Sequence, residues 1–516
     1  MKKRSYITTP IYYASGNLHI GHLYTTTLAW TIANFKKLLG YEVKMLTGSD
    51  EHGLKIQQKA EELGKKPQEL VDELSAKFIQ MWKDFGINYD YFWRTSNKDH
   101  KERVQKIFSY FLKNGFIYKD EYKGLYSVSD EEFLTETQAL KKDGKLYHPV
   151  SHKELTIVSE ESYFFDMQKF VPWLEEYIDQ HPNWLMPHKT KNEILTNFIK
   201  AGLENLSVTR INIDWGIRVL EDPKHTLYVW LDALCNYITA LEYDVENPTS
   251  KNFLDFWQDE NAEVIHLVGK EITRFHMIYW PIFLKALNIK QPTRVQSHGW
   301  ILDDQGRKMS KSLNNVVDPY ELLSKYHPEM IKYFLASQIN FGEDGLFDEK
   351  RFVDIINSDL INSFGNLVSR TLKMKFNSFN QTPLNYTKSN NELDSDIENK
   401  IKEHLDSYIE DFNELKVDKA LKHAINLSNA LNKYIDETKP WTLKEDLIRL
   451  EEVLVRLLNG IYAVATCLQV VLPQKMHEVQ EALGVSELKI EDILNFNKFA
   501  DKIQHEQFML FERIKR

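Results

Sequence analysis

His19-Ile20-Gly21-His22 and Lys308-Met309-Ser310-Lys311-Ser312 are the two stretches that decide how this sequence is read. The first follows β-prone Tyr6-Ile7-Thr8-Thr9 and opens an apolar-periodic segment that runs to Leu39. That pattern predicts a strand, a loop and a helix whose N-terminus carries two imidazoles. Helix N-termini favour anions, imidazole N–H groups donate to phosphate oxygens, and Gly21 lacks the Cβ that would hold a nucleotide off the backbone. The second stretch brings two ammonium groups on a short polar segment. A His-x-x-His by itself is more often structural or a metal site, and a Lys-rich pentapeptide by itself is usually a solvated loop. Together, in this order, they supply the groups that activate a carboxylate with ATP.

Working outward, Gly40-Tyr41-Glu42-Val43-Lys44-Met45-Leu46-Thr47-Gly48 reads as a second strand bounded by glycines, followed by one helix rich in Gln, Lys and Glu. Strand, helix, strand, helix is the pattern of a parallel sheet with helices on its faces. Ligands in such sheets bind at the carboxyl ends of the strands, which is where His19 falls. From Gly115 to about Pro223 the pattern breaks into short β-prone pieces and turns, as an insertion would. It resumes at Leu227-Tyr228-Val229-Trp230 and at Val264-Ile265-His266-Leu267-Val268-Gly269. Beyond Asp318-Pro319 the pattern is almost wholly helical: Leu405, Tyr408, Ile409, Phe412 and Leu415 keep helical spacing, as do Ala420, Leu421, Ala424, Ile425 and Leu427. The polar stretch Asn377 to Asp396 reads as the long loop of this bundle.

The chain's 516 residues exceed what one core holds and imply roughly three or four domains. A net charge of −10 argues against a general nucleic-acid binder, though Lys270, Arg274, Lys285, Lys290, Arg294, Arg307, Lys308 and Lys311 cluster around the second motif. Two cysteines, Cys235 and Cys467, provide neither a disulfide framework nor a four-cysteine zinc site. Met1-Lys2-Lys3-Arg4 is basic, but Ser5 to Tyr13 is polar, so no signal peptide is expected. The apolar run Ile461 to Leu472 falls short of the roughly 20 residues a membrane helix needs. A cytoplasmic protein with no membrane partner is the expectation.

The two motifs resemble the HIGH and KMSKS motifs of class I aminoacyl-tRNA synthetases, and further segments resemble the methionyl branch of that family. Ile11-Tyr12-Tyr13-Ala14-Ser15-Gly16 is similar to the segment that places a Tyr over the amino acid. Tyr228-Val229-Trp230-Leu231-Asp232-Ala233 is similar to the family's pocket strand, and Phe275-His276-Met277-Ile278-Tyr279-Trp280-Pro281 to the helix that closes the pocket. Asp50, within Gly48-Ser49-Asp50-Glu51-His52-Gly53, matches the carboxylate that holds the substrate ammonium; read alone, it is equally a helix N-cap. Asn366-Leu367-Val368-Ser369-Arg370 and Pro440-Trp441 match anticodon-reading segments. The likeness covers essentially the whole chain.

The resemblance implies an α/β fold: a Rossmann-like parallel-sheet catalytic domain with an inserted connective domain, followed by an all-α anticodon-binding bundle. The expected boundaries are 1–115 and 225–294 for the catalytic halves, 116–224 for the connective insertion, 295–345 for the second motif and stem-contact region, and 346–516 for the bundle. His19, His22, Lys308 and Lys311 are implied as catalytic, with Gly21, Gly269, Glu271, Met309, Ser310 and Ser312 around ATP-Mg²⁺. The family often has Asp where Glu271 stands. The implied L-methionine pocket comprises Ile11, Tyr13, Asp50, Trp230, Ala233, Leu234, Tyr237, Phe275, His276 and Trp280. Methionine is unbranched and polarisable, and its sulfur is favourable against ring edges; a donor from Tyr13 or His276 would suit the weakly accepting thioether. Singly, each ring is more often core than pocket, and Cys235 reads as a small buried residue. Asn366, Arg370 and Trp441 are implied to read the CAU anticodon of methionine tRNA, in a monomer serving initiation and elongation.

Many relatives carry a zinc knuckle in the insertion. Here Tyr126-Ser127-Val128-Ser129-Asp130-Glu131 has no cysteine, and Tyr147-His148-Pro149-Val150 with His152 offers histidines only, so no zinc is expected. The chain ends at Arg516 soon after the bundle, so the dimerising module of some relatives is expected to be absent. The leucine, isoleucine and valine enzymes need a larger editing insertion, the cysteine enzyme needs zinc-binding cysteines, and a decayed non-enzymatic relative would not need the intact lysines and histidines.

Overall fold

The computed structural model describes residues 2–127, 132–134, 139–149, 151–309, 315–380, 382–498 and 508–515. Contacts divide the chain into two compact units, residues 1–18 with 42–298, and residues 19–41 with 299–516.

The first unit is built on six parallel strands: β1 (Arg4–Tyr13), β2 (Glu42–Asp50), β3 (Tyr91–Arg94), β4 (Leu185–Met186), β5 (Ala262–Gly269) and β6 (Arg294–His298), in the order β3-β2-β1-β5-β6-β4. Tyr6, Ile7, Thr8 and Thr9 are fully buried, as a strand covered on both faces must be. Their hydroxyls are satisfied inside the sheet, Thr8 by His266 and Thr9 by Thr47. β1 continues to Tyr13 instead of turning to loop after Thr9, and its pairing with β2 shifts register between Thr8 and Ile11. Pro10, which has no N–H for the ladder, sits at that shift. β2 likewise runs through Gly48 to Asp50. A Cβ at Gly48 would lie 1.9 Å from the Trp93 carbonyl oxygen and 2.9 Å from Ile11 Cγ2, so the glycine is needed where strands crowd rather than at a boundary.

The first unit's helices depart from the sequence reading in three places. The expected single helix after β2 is two, α1 (Leu54–Glu62) and α2 (Pro67–Asp84), because Gly64 takes φ 64° and Pro67 starts the second. α3 (Lys98–Lys113) follows β3. The expected pocket strand is helix α4 (Val229–Leu234), and only Thr226–Leu227 pairs as strand. Tyr228 stands in extended backbone and its carbonyl accepts from Leu231 and Asp232, so the aromatic and branched run turns helical under its tertiary anchors. The closing helix is broken into α5 (Thr273–Met277) and α6 (Tyr279–Ala286), since Pro281 cannot donate to Met277. The insertion forms an antiparallel sheet of Leu206–Ser207, Thr156–Phe165, Ile117–Ser127 and Glu132–Leu134. Ile117 and Phe165 join the main core with Trp257, Trp280 and Phe283.

The second unit is largely helical. It contains α7 (Ile20–Leu38), α8 (Pro328–Gln338), α9 (Asn366–Phe379), α10 (Glu392–Asn413), α11 (Val417–Thr438) and α12 (Leu447–Leu468). Leu405, Tyr408 and Phe412 face inward, Ile409 is half-buried, and Leu415 lies past the helix end at φ 61°. Phe35 stacks on Phe412 with centroids 4.3 Å apart, and Lys332 on α8 lies 3.9 Å from the Trp30 ring, so α7 is packed into the bundle. The expected loop 377–396 is shorter at both ends, because α9 persists to Phe379 and Asn391 caps α10 by accepting from Leu393 N–H. Among the described residues no helix is long and apolar enough to cross a membrane.

Gly48→Ala should lower the urea midpoint by at least ~1–3 kcal/mol of stability, the scale of an overpacked core. An unchanged midpoint would show that β2 and β3 do not require this approach.

Candidate active site and anticodon face

His19 is the N-cap of α7, and its own ring closes the helix end: Nδ1 accepts from Gly21 N–H at 3.1 Å. His22 Nδ1 accepts from His19 N–H at 3.0 Å. Each bond fixes a tautomer, because a nitrogen that accepts from a backbone amide is unprotonated in the neutral ring. Both imidazoles therefore carry their proton on Nε2, a donor for an anion. Burial, and then the neighbouring His19, press the His22 proton affinity well below the ordinary imidazole range, so it donates as a neutral group. A Cβ at Gly21 would lie 2.9 Å from His19 Cε1, so the glycine also makes room for the capping ring.

In the first unit, β1 and β2 end in register with Tyr13 opposite Asp50. Asp50 is the last residue of β2, not a helix cap; the residue at the α1 N-cap is Gly53. Ile11 and Tyr13 are half-buried, and Lys55 lies 5.6 Å from the Tyr13 ring. On α4 and α5, Trp230 and Phe275 stack with centroids 3.6 Å apart and planes 22° from parallel. Ala233 and Leu234 are buried on the same short helix as Trp230. Tyr237 and His276 are joined at 2.7 Å, and His276 Nδ1 lies 3.0 Å from the Ile272 carbonyl. A carbonyl only accepts, so Nδ1 holds the His276 proton and Nε2 accepts from the Tyr237 hydroxyl. Burial lowers the His276 pKa to about 4, which keeps that arrangement neutral. His276 thus has no spare N–H for a thioether, and its contribution is to orient Tyr237. Trp280 is fully buried and donates to His266 Nε2, behind the Tyr237 ring at 5.7 Å.

Gly269 ends β5, and a Cβ there would lie 2.6 Å from the Glu271 carboxylate. Glu271 is exposed just beyond the strand. In the second unit, Lys308 Nζ lies 3.8 Å from the Trp300 ring centroid. Asp303 accepts from Arg307 N–H and Nε and from Asn315 Nδ2, which ties both sides of the lysine-rich segment together. Those bonds, Asn315 first, hold its carboxyl well below the usual range. Met309 is half-buried; Ser310, Lys311 and Ser312 lie outside the described residues.

Residues 5–372 match the family model described as "tRNA synthetases class I (M)". The chain is 50% identical over 516 residues to a methionine–tRNA ligase of Mycoplasmopsis pulmonis, with 100% of each chain covered. It is 42% identical over 522 residues to one of Bacillus subtilis, covering 99% of this chain and 78% of that one. Its fold is similar to a Mycobacterium tuberculosis methionyl-tRNA synthetase solved in complex with methionyl-adenylate, with TM-score 0.94, 31% identity, and 99% and 100% of the two chains covered. The chain belongs to the methionyl class I tRNA synthetases.

The segments that resemble anticodon-reading ones lie in the helical unit. Asn366 and Arg370 are exposed one turn apart on α9. Trp441 follows Pro440 in a single helical turn and is 46% exposed, so it is not a bundle-core tryptophan. The Arg370 guanidinium lies 6.0 Å from its ring and also pairs with Asp436 at 3.7 Å.

The residues offered for the family's zinc knuckle are described only in part. Residues 128–131 and Val150 lie outside the described part. His148 is buried with its Nδ1 accepting from Ser151 N–H, while His152 is exposed. The described residues bring together one possible ligand group, Glu161, Asp222 and His225, but Lys119 Nζ already pairs with both carboxylates at 2.7 and 2.8 Å.

Two features escaped the sequence reading. Arg210 is buried with its guanidinium 4.2 Å from the Tyr228 ring. Asp232, inside the quoted pocket segment, binds His52 and His100 at 2.6 and 2.7 Å. Burial alone would raise its pKa, but the two imidazoles outweigh that and hold it at about 2. A carboxylate in an otherwise apolar helical turn was the available signal.

Methionine affinity should be flat from about pH 6 to 8, because His276 takes its proton only near pH 4, well below the ordinary imidazole value. Protonation would put a second N–H where Tyr237 donates, so affinity should fall only at the acid end. A break in methionine KM near pH 6.5 that vanishes in His276→Asn would contradict this.

Proposed function

We infer that the chain is a methionine–tRNA ligase: it condenses L-methionine with ATP to methionyl-adenylate, releases pyrophosphate, and passes the methionyl group to methionine tRNA. The observation that carries the substrate reading is the ring set of the first unit, Trp230 on Phe275 and Tyr237 on His276, on helices anchored to the loop that follows Asp50.

The methionine carboxylate attacks the α-phosphorus in line, and no covalent enzyme intermediate is needed. Asp50 takes the substrate ammonium, which would otherwise cost several kcal/mol to leave unpaired in a closed site. Ile11, Tyr13, Ala233 and Leu234 complete the side-chain wall, with Trp280 supporting it from behind. His19 and His22 offer Nε2–H donors to phosphate oxygens. Glu271 takes ribose hydroxyls next to Gly269. Lys308 and Lys311 neutralise the pyrophosphate departing from the ATP-Mg²⁺ substrate, while Met309, Ser310 and Ser312 complete the ATP contacts. This is catalysis by positioning and preorganised charge. The terminal ribose of tRNA then attacks the adenylate. Asn366, Arg370 and Trp441 read the CAU anticodon, in a cytoplasmic monomer that charges initiator and elongator tRNA. Residues 1–115 and 225–294 serve as catalytic halves, 116–224 as connective insertion, 295–345 as the KMSKS and stem-contact region and 346–516 as the anticodon bundle. No zinc is required.

Pyrophosphate exchange should respond to methionine and close analogues alone. Homocysteine, one methyl smaller, should be misactivated, since a methylene-sized group discriminates by only about 1–3 kcal/mol. Exchange should survive zinc chelation once magnesium is restored. Faster exchange with leucine or cysteine would end the assignment, and activity lost with zinc and regained on its return would end the no-zinc reading.

Trp441→Ala should raise the KM for methionine tRNA about tenfold to a hundredfold, from a base stack worth ~1–3 kcal/mol, with exchange and melting little changed. A variant that still prefers the CAU anticodon as strongly as the parent would remove Trp441 from the anticodon face.

A further inference from the structure

We propose that Asp232 is a positioning residue for amino-acid binding: with His52 and His100 it fixes the aromatic wall of the pocket against the strand end that presents Asp50. The inference rests on the reading that this pocket holds methionine, and it assigns a role to three residues that contribute no wall of their own.

Asp232 is 1% exposed on α4, two residues past Trp230 and immediately before Ala233 and Leu234. Its Oδ2 accepts from His52 Nδ1 at 2.6 Å, and its Oδ1 from His100 Nε2 at 2.7 Å. His52 lies two residues beyond Asp50, on the segment leaving β2. The Trp215 indole donates to the Glu51 carbonyl at 2.5 Å and its ring meets His52 edge-on, so the His52 backbone is held as well as its ring. His100 lies on α3. Its Nδ1 is 2.8 Å from Thr239 Oγ1 and accepts from Trp93 Nε1, which only donates. That acceptor role places the His100 proton on Nε2, facing Asp232. The carboxylate therefore receives one N–H on each oxygen from two different elements.

Glu51, between Asp50 and His52, is tied just as firmly. Glu51 is fully buried and receives Arg94 Nε at 2.6 Å and Ser75 Oγ at 2.5 Å, with Ser49 and Ser96 also bonded to it. The backbone that follows Asp50 is thus tied to β3 and α2 through Glu51 and to α4 through His52. Only the second tie reaches the helix of Trp230. If the distance from the ammonium-binding carboxylate to the aromatic wall is set anywhere, it is set through Asp232, and small displacements of that kind cost up to about a hundredfold in rate or affinity.

The test is steady-state pyrophosphate exchange with L-methionine and ATP varied separately. Asp232→Asn, whose amide offers one acceptor where two donors point, should raise methionine KM about tenfold or more, with ATP KM within about twofold of the parent. His52→Leu should do the same. His52→Asn should restore methionine KM, because an Asn amide nitrogen lies where Nδ1 does, and His100→Gln should behave likewise because a Gln amide nitrogen lies where Nε2 does. Trp230→Ala is measured alongside. If Trp230→Ala leaves methionine KM unchanged, the pocket reading itself fails. If it raises KM but a folded Asp232→Asn does not, or if methionine and ATP KM rise together, the positioning role is overturned. Should Asp232→Asn fail to fold, the His52→Leu and His52→Asn pair decides: equal effects overturn the proposal, and rescue by Asn sustains it.

Discussion

Parallel pairing of β1 with β2 and β5 is the constraint on which the first unit depends. In a parallel sheet every strand finishes at the same edge, so Tyr13, Asp50 and Gly269 reach one rim without any special device. The pairing also demands burial on both faces, and the interior accommodates polar groups only as closed hydrogen-bonded sets. Thr8 bonds His266, His266 accepts from Trp280, and Tyr237 stacks on His266 at 4.2 Å. The pocket's ring set is therefore continuous with the sheet's own hydrogen bonding. The geometry of the site is a consequence of how the core satisfies its polar atoms.

Three strands of the sheet, β1, β2 and β5, were legible because they are short apolar runs separated by helical periods, whereas β3, β4 and β6 were not read. What could not be read was where local pattern yields to tertiary demand. Leu227-Tyr228-Val229-Trp230 has every mark of a strand, yet Val229 to Leu234 are helical. No property of those side chains taken locally distinguishes the outcomes; the anchors on Asp232 lie far away in sequence, at His52 and His100. Pro10 and Pro281 show the converse. Their effects are local, a register shift and a helix break, and both follow from the missing N–H once the flanking elements are known.

The candidate site's residues were named through the family resemblance, and their types suit it because phosphate, ammonium and thioether each demand a distinct chemistry that few side chains provide. The roles were less so. His276 could be named from the sequence, but only its bond to the Ile272 carbonyl shows that its proton is committed, and that Tyr237 is the group it orients. Gly21 could be read as room for a nucleotide, whereas the structure shows that it also makes room for His19.

A common rule connects these cases. Histidines do much of the work here, and in each one a ring proton is placed by a partner able to play a single part. Backbone amides can only donate, which forces Nδ1 of His19 and His22 to accept and leaves the ring proton on Nε2. A backbone carbonyl can only accept, which forces the opposite tautomer on His276. An indole can only donate, which sets His100 and, through it, Asp232. Imidazole is otherwise ambiguous, able to donate or accept at either nitrogen. Single-function partners remove that ambiguity before any substrate arrives. A preorganised site needs its dipoles aimed in advance, and in this chain the fixed chemistry of the backbone and of indole does the aiming.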